Sequence, residues 1–324
     1  MLEELTKITG LVLEAEPMSL HTHFRIGGRA RWFVEAKTPE MLQETIAFAD
    51  KAGVAWFVLG GGSNLLVADE GFEGVVIKMA MRGVTINGLV VVAEAGVLSS
   101  FLARKTAEAG LAGFAWAISL PGTIGGAVRG NAGCFGGEMK DVIESVIVLR
   151  DGQLVRVPAL EAGFGYRESV FKYNNDVIVS VTIRLEQGDP DTLVHQLDTT
   201  LEKRKTSQPL YAGSAGCVFK NLEVSEDEMQ RLIKKFDLSV PVEMQTSRRI
   251  SAGWLIDQLD LKGMKIGQAQ VSPIHGNFIV NLGSATANDV LQLISLIKTR
   301  ARNTFGIELK EEVQFLGDMK YGIK

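Results

Sequence analysis

Val58-Leu59-Gly60-Gly61-Gly62-Ser63-Asn64-Leu65-Leu66 sets a glycine triplet and a polar pair at the end of an apolar, β-rich run. Residues without Cβ let backbone N–H groups approach an anion and let the chain turn through positive φ. Ser63 and Asn64 can add side-chain hydrogen bonds, so the stretch suits the diphosphate of a dinucleotide. Read alone, it serves equally as a tight turn between two strands. A second segment, Ser119-Leu120-Pro121-Gly122-Thr123-Ile124-Gly125-Gly126-Ala127, continues to Asn131-Ala132-Gly133. Glycine loses more backbone entropy on folding than other residues, so two such loops in one strand-rich region are poorly explained as turns. A cofactor lying between them accounts for both.

The flanking pattern is α+β. Thr38-Pro39-Glu40 followed by Leu42, Ile46, Ala49 and Gly53 reads as a capped helix with a glycine stop. A strand from Ala55 to Leu59 then enters the first loop. Val75 to Ile77, Val90 to Ala93, Val142 to Leu149 and Val177 to Leu185 are β-rich, and Asp151-Gly152 marks a hairpin between Val148 and Val155. Only one helix, about Ser99 to Ala109, interrupts these strands. Regular βαβ alternation and a Gly-x-Gly-x-x-Gly opening a helix are both missing, which argues against a Rossmann domain. The texture changes at Gly188-Asp189-Pro190, where a helical stretch begins. The expected division is therefore 1–189, itself split near 70–75 into two subdomains, and a smaller α+β domain over 190–324. In the latter, Ser225-Glu226-Asp227-Glu228 has capping-box form, and another helix is expected from about Asn288 to Asn303.

A chain of 324 residues with 46% hydrophobic content and a net charge of -4 is a globular protein of two or three domains. The absence of a long basic run argues against nucleic acid or an anionic membrane as partner. Met1 to Lys7 has no signal-peptide character and no apolar stretch is long enough to cross a bilayer, so a cytoplasmic protein is expected. Two cysteines, Cys134 and Cys217, are too few for a disulfide framework or a zinc site, and no metal is expected.

Further motifs stand in order along the chain: His23-Phe24-Arg25-Ile26-Gly27-Gly28, the two glycine loops, Gly165-Tyr166-Arg167 and Ser214-Ala215-Gly216-Cys217-Val218-Phe219-Lys220-Asn221. Gly253-Trp254-Leu255-Ile256-Asp257-Gln258, His275-Gly276-Asn277-Phe278, and Glu312-Val313 with Gly317 complete the set. In this order the motifs resemble the UDP-N-acetylenolpyruvoylglucosamine reductase (MurB) family along nearly the whole chain. The resemblance implies an FAD-binding domain of the vanillyl-alcohol oxidase/PCMH type followed by a substrate domain. It also implies NADPH as electron donor, dissociable FAD, and reduction of the enolpyruvyl group of UDP-N-acetylglucosamine enolpyruvate to a lactyl ether by a monomeric enzyme. Hydride addition at one vinyl carbon leaves enolate character beside the carboxylate, so such a site must stabilise an anion and deliver a proton.

Carried over position by position, the resemblance makes Arg167, Cys217 and Glu312 the catalytic set. Arg167 would hold the carboxylate and the developing enolate, and Glu312 would orient or polarise the enolpyruvyl group. Cys217 falls where many members of the family carry the proton-donating serine. A thiol, with a free pKa of ~8.5, is a stronger acid than an alcohol and preserves proton delivery. Each of these residues has a plainer role open to it: an ion pair for Arg167, solvated surface for Glu312 or its neighbour Glu311, and packing for Cys217. The expected cofactor contacts are Gly60, Gly61, Gly62, Ser63, Asn64 and Leu65 on the first loop. On the second they are Ser119, Pro121, Gly122, Thr123, Gly125, Gly126, Asn131, Ala132 and Gly133. Tyr166, Lys220, Asn221 and Gln258 match the substrate pocket, although Leu222 stands where a proline often follows the asparagine. His275 is read as structural.

Arg167 and Cys217 lie 50 positions apart (217 - 167), too close for the tyrosine-bearing loop of the longer type of this enzyme, so the chain looks more like the shorter type. The 31 residues between Asn221 and Gly253 (253 - 221 - 1) are more than the short type leads one to expect. The residues by themselves leave two alternatives open. One is an oxidase of the same FAD architecture; the other is a nucleotide-sugar-binding protein that has lost catalysis. Cys134 could touch the flavin or fill space, and Arg129 could meet a phosphate or face solvent.

Overall fold

The strand Trp56–Leu59, which delivers the chain to the glycine triplet, lies at one side of a four-stranded sheet in the order Val12–Pro17, Arg29–Ala36, Phe72–Met79, Trp56–Leu59. Phe72–Met79 runs parallel to both of its neighbours. The helix Pro39–Lys51 makes the crossover that parallel strands require. Thr38 caps it by accepting from the Met41 N–H at 3.2 Å, Leu42 and Ala49 are buried, and Gly53 ends it with φ +64°. This is a computed structural model, and it describes residues 1–236 and 239–319. The side chains of 235 and 236 also lie outside the described part.

The chain divides into two compact units: Met1–Glu16, Arg29–Gly62 and Phe72–Thr206 form the first, and Pro17–Gly28, Ser63–Gly71 and the chain from Ser207 form the second. The first also holds a five-stranded antiparallel sheet in the order Gln153–Pro158, Ile143–Arg150, Val177–Arg184, Val90–Glu94, Val84–Asn87. Its expected hairpin is present. Val148 pairs with Val155, and Asp151 and Gly152 have φ +47° and +73°, the left-handed pair that matches strand twist. Buried Val75, Ile77, Val91, Val146, Val181 and Ile183 belong to one continuous core.

Two boundaries differ from the sequence expectation. The helix Pro190–Ser207 belongs, as far as Thr206, to the first unit, because Leu193 and Leu197 are buried in that core. The chain changes sheets after Met79 rather than near 70–75, because Phe72–Met79 is an inner strand of the first sheet. A third difference lies in the second glycine loop, where Ile124–Arg129 is a short helix. Glycine disfavours helix locally, but a Cβ on Gly125 would stand 2.8 Å from the Ala95 Cβ, so close packing overrides propensity.

In the second unit, a three-stranded antiparallel sheet of Lys265–Ile266, Ala269–Val271 and Ile279–Asn281 packs with the helix Ala287–Phe305. That helix starts with a Thr286/Asp289 capping box and buries Val290, Leu291, Leu293, Ile294 and Ile297. The Ser225/Glu228 capping box also forms, with the Glu228 N–H donating to Ser225 Oγ at 3.2 Å and the Ser225 N–H to Glu228 Oε2 at 2.8 Å. Leu65–Val67 pairs in parallel with Gln314–Leu316. Asn277, only 2% exposed, stands in for a missing strand: Oδ1 accepts from the Phe219 N–H at 2.9 Å and Nδ2 donates to the Phe219 carbonyl at 2.8 Å. An Asn277→Ala substitution strips both partners from buried backbone groups. It is expected to lower the unfolding free energy by roughly 2–4 kcal/mol, measured by urea denaturation.

Candidate functional site

In the first unit the two glycine loops meet backbone to backbone. A Cβ on Gly61 would lie 2.4 Å from the Gly122 Cα, and one on Gly60 would lie 2.6 Å from Thr123 Oγ1. The glycines at 60 and 61 are therefore demanded by the neighbouring loop, whatever else they approach. Gly62 and Gly122 have φ +65° and +98°, which also favours glycine. Gly126 is different. It is exposed, and the nearest atom to its Cβ position is Thr123 Oγ1 at 3.7 Å, so protein packing leaves room there for a side chain.

Thr123 precedes the helix Ile124–Arg129 yet does not cap it, and its buried Oγ1 has no partner among the described residues. A buried hydroxyl left in this state is costly unless a ligand or water completes it. The orphan hydroxyl and the loops' exclusion of side chains fit a dinucleotide whose diphosphate takes backbone donors. Ser119 and Pro121 open the second loop. The Ser119 carbonyl accepts from Arg204, and its hydroxyl lies 3.7 Å from Cys134 Sγ. Cys134 also donates to the Trp116 carbonyl at 3.5 Å, and burial pushes its thiol pKa up, so at neutral pH it is protonated and poorly nucleophilic. The Arg129 side chain is exposed.

Asn131 departs from its expected role at the level of its side chain. That side chain is wholly committed to the fold: Nδ2 donates to the Gly165 carbonyl at 2.7 Å and to Glu138 Oε2 at 3.1 Å, and Oδ1 accepts from the Lys140 N–H at 2.9 Å. It thereby anchors the turn that carries Arg167. Gly165 and Glu168 exchange backbone hydrogen bonds of 3.0 and 3.1 Å, with Tyr166 and Arg167 at the tip. Arg167 has φ +56°, a left-handed conformation that costs a non-glycine residue about 1–2 kcal/mol. Its guanidinium donates to the Gly133 carbonyl at 2.7 Å and lies 5.2 Å from the centre of the Tyr166 ring. The Ala132 carbonyl is taken by the Met139 N–H at 3.0 Å.

The second unit brings together three residues far apart in sequence. Cys217 bridges Phe278 in antiparallel fashion, and the next carbonyl, that of Val218, accepts from the Glu312 N–H at 2.7 Å. The Glu312 carbonyl in turn accepts from Asn64 Nδ2 at 3.0 Å, while Asn64 Oδ1 is buried without a partner among the described residues. Ser63 and Asn64 thus belong with Cys217 and Glu312, whereas Gly60–Gly62 belong to the first unit. Leu65 is 4% exposed and sits in a strand, so only its backbone is left for a cofactor. The adjacent Glu311 pairs with Lys298 at 2.6 Å on the helix Ala287–Phe305.

Lys220 continues the Cys217 segment, its N–H donating to the Lys310 carbonyl at 2.9 Å. Asn221 Oδ1 accepts from the Ala252 N–H at 3.1 Å and so fixes the start of the helix Ala252–Gln258, whose last residue, Gln258, is exposed. His275 supports the turn before Ile279–Asn281: Nδ1 accepts from the Asn277 N–H at 3.2 Å, and burial pushes its pKa down, keeping it neutral. Among the described residues no group of three or more His, Cys, Asp or Glu side chains is placed to hold a metal.

Lys78 is absent from the sequence reading. It donates to the Gly60 carbonyl at 2.5 Å from the strand Phe72–Met79. The available signal was a single lysine within Val75-Val76-Ile77-Lys78-Met79, an otherwise apolar run.

These features define a flavin-binding protein, and residues 30–158 match the family model described as an FAD binding domain. Residues 208–316 match the model for the UDP-N-acetylenolpyruvoylglucosamine reductase C-terminal domain. The reductase of that name from Alkaliphilus oremlandii is 40% identical over 97% of this chain and 97% of its own. The one from Carboxydothermus hydrogenoformans is 39% identical over 98% of the relative. A crystal structure of UDP-N-acetylenolpyruvylglucosamine reductase (MurB) from Thermus caldophilus superposes with a TM-score of 0.75 at 32% identity, covering 95% of this chain and 98% of that one. The chain belongs to the UDP-N-acetylenolpyruvoylglucosamine reductase family.

Two alanine substitutions separate loop packing from ligand contact. Gly61→Ala forces the loops apart and is expected to lower both apoprotein stability and FAD affinity. Gly126→Ala has room and sits in a helix, so the apoprotein should melt at the same or a higher temperature while FAD binds at least about tenfold more weakly. Thermal melting and FAD titration read the two effects.

Proposed function

We propose that this protein reduces UDP-N-acetylglucosamine enolpyruvate to UDP-N-acetylmuramate with electrons from NADPH, as a step of peptidoglycan precursor synthesis. The observation that carries the reading is the junction of Cys217, Glu312 and Asn64, which joins the substrate-domain motifs to the polar end of the first glycine loop. The matched C-terminal domain also accounts for the residues that an oxidase would leave without purpose.

The first unit is the FAD-binding domain and the second the substrate domain. Gly60–Gly62 and Gly122–Gly126 would hold the FAD diphosphate non-covalently, with Thr123 Oγ1 as a further polar group. FAD, when bound, supplies the hydride transfer that links NADPH oxidation to reduction of the enolpyruvyl double bond. Arg167 binds the substrate carboxylate and opposes the negative charge that develops beside it; the Asn131-anchored turn keeps its guanidinium in place without reorganisation. Cys217 Sγ delivers the proton to the enolate carbon. The Gly216 φ of +77° sets the backbone immediately before it. Glu312, its backbone held at both N–H and C=O, orients the enolpyruvyl group. Tyr166, Lys220, Asn221 and Gln258 bind the nucleotide sugar.

The reading extends to a monomer in the cytoplasm, supported there by two cysteines that form no disulfide, as a reducing compartment allows. Light scattering reads the oligomeric state directly. No helix among the described residues is long and apolar enough to cross a membrane.

The direct experiment follows oxidised flavin absorbance anaerobically, first with NADPH and then with the enolpyruvyl UDP-sugar. Bleaching followed by sugar-dependent recovery is the expected result; recovery only with oxygen would favour an oxidase, and sugar binding without turnover an inactive relative. Cys217→Ala is expected to leave bleaching by NADPH intact and to slow the sugar-dependent step by roughly a hundredfold to ten-thousandfold, with Cys217→Ser restoring most of it. Equal loss of both half-reactions would remove Cys217 from the role of proton donor.

A further inference from the structure

Lys78 is a half-buried cation without an ion pair among the described residues. Its strand neighbours in register are Leu59 and Glu35, but Glu35 is exposed and its carboxylate lies 4.0 Å from Lys37 Nζ. The only acceptor its ammonium contacts among the described residues is the Gly60 carbonyl. Burial and the nearby Arg82 both push its pKa down, partly offset by Glu35. A partly desolvated ammonium with one neutral acceptor is an incomplete arrangement that a nearby anion would stabilise.

The Gly60 carbonyl also belongs to the peptide that leads into the glycine triplet. In a trans peptide the C=O and the following N–H point in opposite directions. Holding the Gly60 oxygen against Lys78 therefore turns the Gly61 N–H away from the strand, and among the described residues that N–H has no backbone acceptor. One lysine thus does two things at once: it orients a donor of the loop and places a positive charge behind it.

We infer that Lys78 is a positioning residue for the dinucleotide diphosphate, orienting the Gly60–Gly61 peptide so that the Gly61 N–H faces the anion and adding a positive charge behind the loop. The inference rests on the assignment of FAD to the glycine loops.

The test compares apoproteins of wild type, Lys78→Met and Lys78→Arg, titrated separately with FAD and with riboflavin, which lacks the diphosphate. Binding is read by flavin fluorescence, and circular dichroism with a thermal melt checks each fold. Lys78→Met is expected to weaken FAD binding roughly tenfold to a hundredfold, the size of a lost charge-assisted hydrogen bond, with riboflavin affinity unchanged within about twofold. Lys78→Arg should retain most of the FAD affinity. Unchanged FAD binding in Lys78→Met, or equal weakening of FAD and riboflavin, would overturn the inference, the second by showing a general packing role. If Lys78→Met does not fold, Lys78→Gln is read by the same criteria. Wild-type protein that takes up no FAD would overturn the cofactor assignment and this inference with it.

Discussion

The first unit depends on the close approach of two backbones, Gly61 against Gly122, at a separation no side chain could occupy. Each loop is tied to a different layer of the unit. Gly60–Gly62 follows the strand Trp56–Leu59 of the largely parallel sheet. The second loop packs through Gly125 on Ala95, just past the strand Val90–Glu94 of the antiparallel sheet. Backbone contact between them creates a surface of peptide groups with few side chains, the kind of surface that binds phosphate oxygens. A single β-carbon at Gly61 would open that contact, so packing and ligand recognition impose the same residue type for separate reasons.

The second unit solves a different problem, how to bring together a thiol and a carboxylate that the chain keeps far apart. Cys217 and Glu312 are held through backbone, with Asn277 completing the Phe219 peptide on one side and the Val218 carbonyl taking the Glu312 N–H on the other. Main-chain restraint limits the reach of both side chains. The same economy holds for Arg167: its backbone sits in a strained left-handed conformation at the tip of a turn, anchored by Asn131 from beneath. Strain of this kind persists where surrounding contacts over-determine it.

Much of this was legible in the residues. The Asp151-Gly152 hairpin, the Thr38 cap, the Ser225/Glu228 capping box and the extent of the helix Ala287–Phe305 follow from chemistry within a few residues of each element. The two glycine loops suggested a place for a dinucleotide diphosphate, and the order of motifs pointed to the reductase family, to which the chain belongs. Other features were hidden. The helix Ile124–Arg129 is built against local propensity by packing on Ala95. Pro190–Ser207 reads as the start of a new domain because composition changes there, yet Leu193 and Leu197 complete the preceding core.

The division follows from how far information travels along the chain. Turn types, caps and the glycine loops were determined by the sequence itself, because backbone conformation at a turn or cap is set by side chains one to four positions away, whereas Arg167, Cys217 and Glu312 became candidates through the family resemblance. Only the tertiary structure decided which polar groups are consumed by the fold and which stay available. Asn131 reads as a cofactor residue until Gly165, Glu138 and Lys140 occupy its amide. Asn64 meets Glu312 across 248 positions, and Lys78 meets Gly60 across 18. A buried polar group must find its hydrogen-bond partner wherever the fold places one, and no local pattern encodes a partner that distant.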